Sequence, residues 1–232
     1  MPIDLSIPLK SGSENPKCFY APDPVFEAVR AGDFIGDLEM GGAVNFKNVS
    51  FNPHGNGTHT ESIAHISPVP AYIGSHFTSF HFIAQLITCH PKQNSADDFV
   101  IERDQIPDNF QDSCSALIIR TEPNSSDKKT RNYSGKNAPY ITEEAMQRIT
   151  SCGISHLLID LPSVDKEEDG GRLPAHRAFF GPTDHPRKGA SITEMVYIPD
   201  DIDDGLYLLN LQIPNFQLDA APSRPVIYAL SV

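Results

Sequence analysis

Two short apolar runs bracketing an amphipathic segment constrain this fold more than any other feature. Ser115-Ala116-Leu117-Ile118-Ile119-Arg120 and His156-Leu157-Leu158-Ile159-Asp160 have the length and aliphatic content of fully buried strands. Between them, Thr142-Glu143-Glu144-Ala145-Met146-Gln147-Arg148-Ile149 carries a Thr cap and early acidic residues, with Gly153 as its stop. Strand, helix, strand in this order predicts a βαβ unit joining neighbouring strands of a central sheet. Leu206 to Ile213 and Pro225 to Leu230 read as further buried strands, and Val44 to Phe51 as a strand-like segment leading to residue 54. Asn124 to Asn137, rich in Ser, Lys, Asp and Asn, reads as an exposed loop. The pattern predicts a mixed α/β protein, and 232 residues suffice for a single domain spanning 1–232.

The chemistry concentrates in His54-Gly55-Asn56-Gly57-Thr58-His59-Thr60-Glu61-Ser62-Ile63-Ala64-His65, where three imidazoles and a carboxylate fall within twelve residues. Imidazole and carboxylate are ligands of zinc and manganese, and a site with open positions can activate water near neutral pH. His59 and Glu61 stand two apart, so extended backbone places them on one face. Gly55 and Gly57 allow the chain to fold back and aim His54 at the same point. The spacing does not match the helical His-Glu-x-x-His signature, which predicts a site built on loop and strand.

This stretch resembles the His-x-Gly-Thr-His-x-Asp-x-Pro-x-His signature of the metal-dependent cyclase and kynurenine formamidase family, which includes isatin hydrolases. Gly57-Thr58-His59 matches its Gly-Thr-His, with Glu61 at its Asp and His65 at its last His. Other blocks follow in the family's order. They are Ile3 to Leu9, Ile159 to Asp165 with Leu173-Pro174-Ala175-His176-Arg177, Ser191-Ile192-Thr193-Glu194, and Leu218-Asp219-Ala220-Ala221-Pro222-Ser223-Arg224-Pro225. Three positions depart from the pattern: Gly55 stands where the family has its first ligand His, with His54 one residue earlier, Glu61 replaces Asp, and Ile63 replaces Pro.

The resemblance implies a swivelling β/β/α domain, a mixed sheet with flanking helices, assembled as a homodimer or homotetramer. It implies one or two divalent ions, zinc or manganese, held by His54, His59, Glu61, His176 and Glu194, with His65 as the catalytic proton carrier. The implied activity is hydrolysis of an amide C–N bond in a small-molecule substrate, an arylformamide or a small cyclic amide. Hydrolysis of a lactone or other cyclic compound is one alternative. A degenerate member that binds a small molecule or structural metal without turnover is the other, kept open by Gly55, Glu61 and Ile63. Asp160 and Asp165 are candidates for orienting a ligand histidine, and His185 for a lid.

A formal net charge of −12 argues against nucleic acid or an anionic membrane as partner. No run is apolar enough to span a bilayer, and Met1-Pro2-Ile3-Asp4 lacks the basic and apolar regions of a secretion signal. Cys18, Cys89, Cys114 and Cys152 are widely separated, as expected of free thiols in a reducing compartment, so a cytoplasmic location is the expectation. Phe77, Phe80 and Phe82, close to His76 and His81, are expected either in the core or lining a pocket or subunit contact.

Overall fold

The computed structural model describes residues 1–68 and 70–230. A mixed sheet of nine strands organises the chain. In chain order these are β1 (Pro2–Asp4), β2 (His59–Glu61), β3 (His81–Cys89), β4 (Cys114–Thr121), β5 (His156–Ile159), β6 (Ser191–Glu194), β7 (Gly205–Gln212), β8 (Ala220–Pro222) and β9 (Arg224–Ala229). Their spatial order is β1-β9-β7-β3-β4-β5-β6-β2-β8. The parallel centre, β3-β4-β5-β6, is flanked by antiparallel strands on both sides.

The βαβ unit forms as its sequence predicts. Helix α1 (Glu143–Ser151) crosses between β4 and β5, which pair in parallel from Ala116 against His156 to Ile119 against Ile159. Thr142 Oγ1 accepts from the Ala145 amide at 3.2 Å, satisfying one of the amides a helix start leaves free, and Gly153 closes the far end at φ 81°. A second helix, α2 (Pro174–Phe180), packs beside α1.

Alternation along β4 and β5 divides the interior into two layers. Leu117, Ile119, Leu157 and Ile159 face Met146, Ile149, Phe179 and Phe180 of the helices. Ala116, Ile118 and Leu158 face the opposite layer with Leu5, Leu86, Leu209 and Ile227. Burial on both faces explains why these strands read as continuous apolar runs.

Two segments differ from expectation. Lys128, inside the segment expected to be an exposed loop, is buried, with its Nζ 2.8 Å from Asp160 Oδ2 and 2.7 Å from the Thr121 carbonyl. Asp160 therefore serves this network, accepting also from the Thr121 amide and hydroxyl, and orients no histidine. The strand-like stretch before residue 54 is strand only over Lys47–Ser50, which pairs with Val25–Ala28 in a separate, exposed ribbon.

Candidate metal centre

Strand β2 is the platform of the site. Its neighbours β6 and β8 set Glu194 opposite His59, and both Ile192 and Ala220 opposite Glu61. His59 and Glu61 share a face by the two-residue repeat, while Thr60 turns to the other side, where its Oγ1 bonds Thr193 Oγ1 and Ser223 Oγ, both at 2.8 Å. Asp219, immediately before β8, is carried to the same centre.

The loop before β2 delivers His54. Asn52 Oδ1 accepts from the Gly55 amide at 3.0 Å, and Asn56 Oδ1 accepts from the Asn52 amide at 2.7 Å, so paired Asn turns fold the chain back. Position 55 itself has no room for a side chain, because a Cβ there would lie 2.3 Å from the Ala21 Cβ. The imidazole thus belongs at 54, and Gly57, at φ 126°, completes the return into β2.

His176 arrives from the first turn of α2. Asp165 accepts from the Ala175 amide at 2.8 Å and the His176 amide at 2.9 Å, capping the helix, and from His176 Nδ1 at 2.6 Å. One carboxylate therefore fixes both the helix start and the orientation of the ring, leaving His176 Nε2 directed at Glu61 Oε1, 3.0 Å away. His59 is oriented similarly. Its Nδ1 lies 2.9 Å from the Gly57 carbonyl, which can only accept, so Nδ1 carries the proton and Nε2 presents a lone pair.

Four atoms then meet without hydrogen-bond partners among the described residues: His59 Nε2, both carboxylate oxygens of Glu61, and His176 Nε2, all buried. Orphaned buried acceptors are costly, and this many aimed together are the donor set of a divalent cation. The groups His54/His59/Glu61 and Glu61/His65/His176 each offer ligand atoms within 4.8 Å of one another, so Glu61 belongs to both. The residues present fit a metal. Glu194 stands slightly aside, with Oε2 3.4 Å from His59 Nε2 and Oε1 3.9 Å from His176 Nε2, while Oε1 accepts from the Val164 amide at 2.9 Å.

Asp219 joins the same centre. Its Oδ2 lies 2.9 Å from His54 Nε2 and 3.2 Å from His65 Nδ1, and the group His54/His65/Asp219 is also compact enough to hold an ion. The closing sequence block contains Asp219, but its role depends on a contact 154 residues away from His65. His185 has no part in the cluster and sits exposed, 3.2 Å from Asp184.

The electrostatics follow from carboxylates crowded by imidazoles. Burial works against a charged Glu61, yet His65 and His176 hold its carboxyl well below the usual range. Burial likewise opposes charge on His176, and Glu61 and Asp165 outweigh it, raising its pKa well above that of a free imidazole. For His54, the hydrogen bond with Asp219 and the nearby charge of Glu61 overcome burial and raise the pKa to about 10. Hydrogen bonds from His54 and His65 lower that of Asp219. The cluster is built to hold positive charge at its centre.

A cleft of about 390 Å³ lies behind this platform, lined by Asp4, Asn52, Thr58, Ser223 and Arg224 and by none of the clustered histidines. The exposed access to the cluster is by way of His65 and Asp219, whose side chains are 30% and 34% accessible.

The fold has solved relatives. A structure described as a potential metal-dependent hydrolase with cyclase activity superposes with a TM-score of 0.70 at 18% identity, covering 98% of this chain and 96% of that one. Isatin hydrolase A from Labrenzia aggregata, bound to benzyl benzoate, gives 0.68 at 17% identity over 98% of this chain and 93% of its own. An isatin hydrolase bound to the product analogue thioisatinate gives 0.66 at 16%, over 97% and 91% respectively. No curated protein matches the chain. The Cyclase family model matches residues 3–166, which include the His54 to His65 stretch and Asp165. With that match over most of its length, the chain belongs to the Cyclase family.

Proposed function

We propose that this protein is a metal-dependent hydrolase of an amide C–N bond, acting on an arylformamide or a small cyclic amide. The observation that carries the reading is the convergence of four orphaned buried ligand atoms, from His59, Glu61 and His176, beside an accessible histidine. His54, His59, Glu61 and His176 would hold the ion, with Glu61 common to two ligand groups and Glu194 supporting from β6. A bound zinc or manganese ion supplies Lewis-acid polarisation of the substrate carbonyl and lowers the pKa of water.

His65 is the proton carrier in this reading. Its Nδ1 is tethered to Asp219, and its Nε2 faces Glu61 Oε2 at 3.8 Å, on the open side of the cluster. Nε2 takes the proton from the attacking water and returns it to the departing nitrogen, which makes a poor amide leaving group expellable. Water adds to the carbonyl carbon and the C–N bond breaks, giving an amine and a carboxylate, on one molecule if the amide is cyclic. The isatin hydrolases among the structural relatives favour the cyclic substrate. A small-molecule substrate and a cytoplasmic location complete the proposal.

The test combines metal analysis with turnover. Protein purified without chelators or a nickel column, then reconstituted with zinc or manganese, is expected to hold one or two equivalents and to hydrolyse isatin or an N-formyl arylamine. Metal occupancy below a tenth of an equivalent would remove the metal reading. Full occupancy with no turnover on either amide, nor on lactones, would favour the binding-only alternative.

A further inference from the structure

His54 and His65 stand side by side between the same two carboxylates. Their ring centres are 4.2 Å apart and the rings are inclined by 31°. On one side each turns a nitrogen to Glu61 Oε2, His54 through Nδ1 at 3.3 Å and His65 through Nε2 at 3.8 Å. On the other side each turns its second nitrogen to Asp219 Oδ2, His54 through Nε2 at 2.9 Å and His65 through Nδ1 at 3.2 Å. The two imidazoles therefore run in opposite senses, one arriving from the loop before β2 and the other from the short turn Ile63–His65 after it.

These contacts fix the orientation of His54. Turning its ring over about the Cβ–Cγ bond would put Cδ2 in place of Nδ1 and Cε1 in place of Nε2, so that a carbon faced each carboxylate. An ionised Asp219 can only accept, and through one oxygen it keeps a proton on both His54 Nε2 and His65 Nδ1. The lone pair of a neutral His54 is then on Nδ1. It faces Glu61 Oε2, which is buried and has no hydrogen-bond partner among the described residues.

The separations distinguish the two rings. Ligand atoms ~2.0–2.1 Å from a tetrahedral zinc lie about 3.3–3.4 Å from one another. His54 Nδ1 meets Glu61 Oε2 at that spacing, as His59 Nε2 meets Glu194 Oε2 at 3.4 Å, whereas His65 Nε2 lies beyond it. Nδ1 is also the nitrogen nearer the main chain, which suits a loop whose residue 55 is pressed against Ala21.

We propose that His54 enters the metal centre through Nδ1, unlike His59 and His176, which present Nε2, and that Asp219 is the positioning residue that imposes this by holding His54 Nε2–H. The same oxygen of Asp219 sets His65 with its Nε2 lone pair toward the centre, so one carboxylate orients both a ligand and the proton carrier. The role of His65 rests on the hydrolase reading, whereas the ligation of His54 needs only a bound ion.

The experiment follows nitrogens instead of turnover. Full-length protein carrying isotope-labelled histidine is compared with and without zinc by long-range proton–nitrogen correlation. In such spectra Nε2 couples to both ring C–H protons and Nδ1 strongly only to Hε1, which tells the two apart. Zinc is expected to shift Nδ1 of His54 while its Nε2 stays protonated, and to do the reverse for His59 and His176, with His54→Asn identifying the His54 signals. Asp219→Ala is expected to weaken zinc binding by about 10- to 100-fold, as loss of a group that orients a ligand imidazole does. Asp219→Asn, whose amide oxygen still accepts from Nε2–H, should recover much of that loss, and His185→Ala, outside the cluster, should leave affinity unchanged. A zinc-shifted Nε2 on His54, a His54 that does not respond to zinc, wild-type affinity in Asp219→Ala, or an Asp219→Asn variant no better than Asp219→Ala would each overturn the proposal. A protein that takes up no zinc would overturn it together with the metal reading. Ligation through His54 Nδ1 in a protein that hydrolyses neither isatin nor an N-formyl arylamine would support the proposal and count against the hydrolase reading alone.

Discussion

Each imidazole of the cluster is given its task by the group that holds its second nitrogen. The Gly57 carbonyl and Asp165 leave His59 and His176 with Nε2 free for a ligand role, whereas Asp219 holds His65 on the accessible side. His65→Asn is therefore expected to retain metal while losing about 10²- to 10⁴-fold in turnover, the usual worth of a positioned proton carrier. Loss of metal in that variant, measured by elemental analysis, would instead make His65 a ligand. The shifted first histidine has an equally local cause. Ala21 fills the space beside residue 55, so Gly55→Ala is expected to cost about 1–3 kcal/mol in chemical denaturation, as overpacking does. Ala21→Gly in the same chain should recover much of the loss, and an unchanged midpoint for Gly55→Ala alone would show that the loop yields. The dense His/Glu stretch was legible because all its members lie close in sequence. Asp219 was not, because its partners are brought to it only by the pairing of β2 with β8.

At the level of elements, the parts that read correctly were those whose signal is local. The Thr142 cap, the Gly153 stop and the aliphatic runs of β4 and β5 each encode their own structure, and the βαβ order needs nothing from elsewhere. The segment 124–137 is mostly exposed, as its polar composition suggests, but its Lys128 is buried and neutralised by an aspartate 32 residues away. Burial raises the pKa of Asp160, and Lys128 opposes that rise. Lys128→Met would leave the carboxylate buried without its cation, and the expected cost is about 3–5 kcal/mol in urea unfolding near neutral pH. Adding Asp160→Asn should return a large share of that loss, since the neutral amide needs no counter-charge. Equal destabilisation in the single and double variants would mean that Lys128 matters through packing alone.

For the molecule as a whole, the two-layer interior follows from burial alternation in the central strands, but a buried titratable group within it gives folding a pH dependence that composition does not show. His156 opens β5 with its ring 4.0 Å from that of Phe82 and 5.4 Å from that of Phe77, and its Nδ1 2.9 Å from Ser191 Oγ. Burial lowers its pKa from 6.5 to about 4, with His76 and Arg187 adding repulsion. A depressed histidine pKa means that the unfolded chain binds the proton more readily than the folded one throughout that interval. The contribution of His156 to stability therefore rises with pH between about 4 and 6.5 and falls as the solution is acidified through the same window, by on the order of 3 kcal/mol. The carboxylates held low around the cluster, Glu61 and Asp219, lose their contribution only at still lower pH, because their folded pKa values lie below the unfolded ones. Denaturant midpoints for wild type and His156→Gln, followed from pH 7 to 4.5, separate these sources. His54 and His176, with raised pKa values, offset His156 near pH 6.5, so the wild type should weaken mainly below about pH 6, while His156→Gln, though less stable at pH 7, should lose clearly less between pH 6 and 4.5. Parallel curves for the two proteins would place the acid sensitivity elsewhere in the fold.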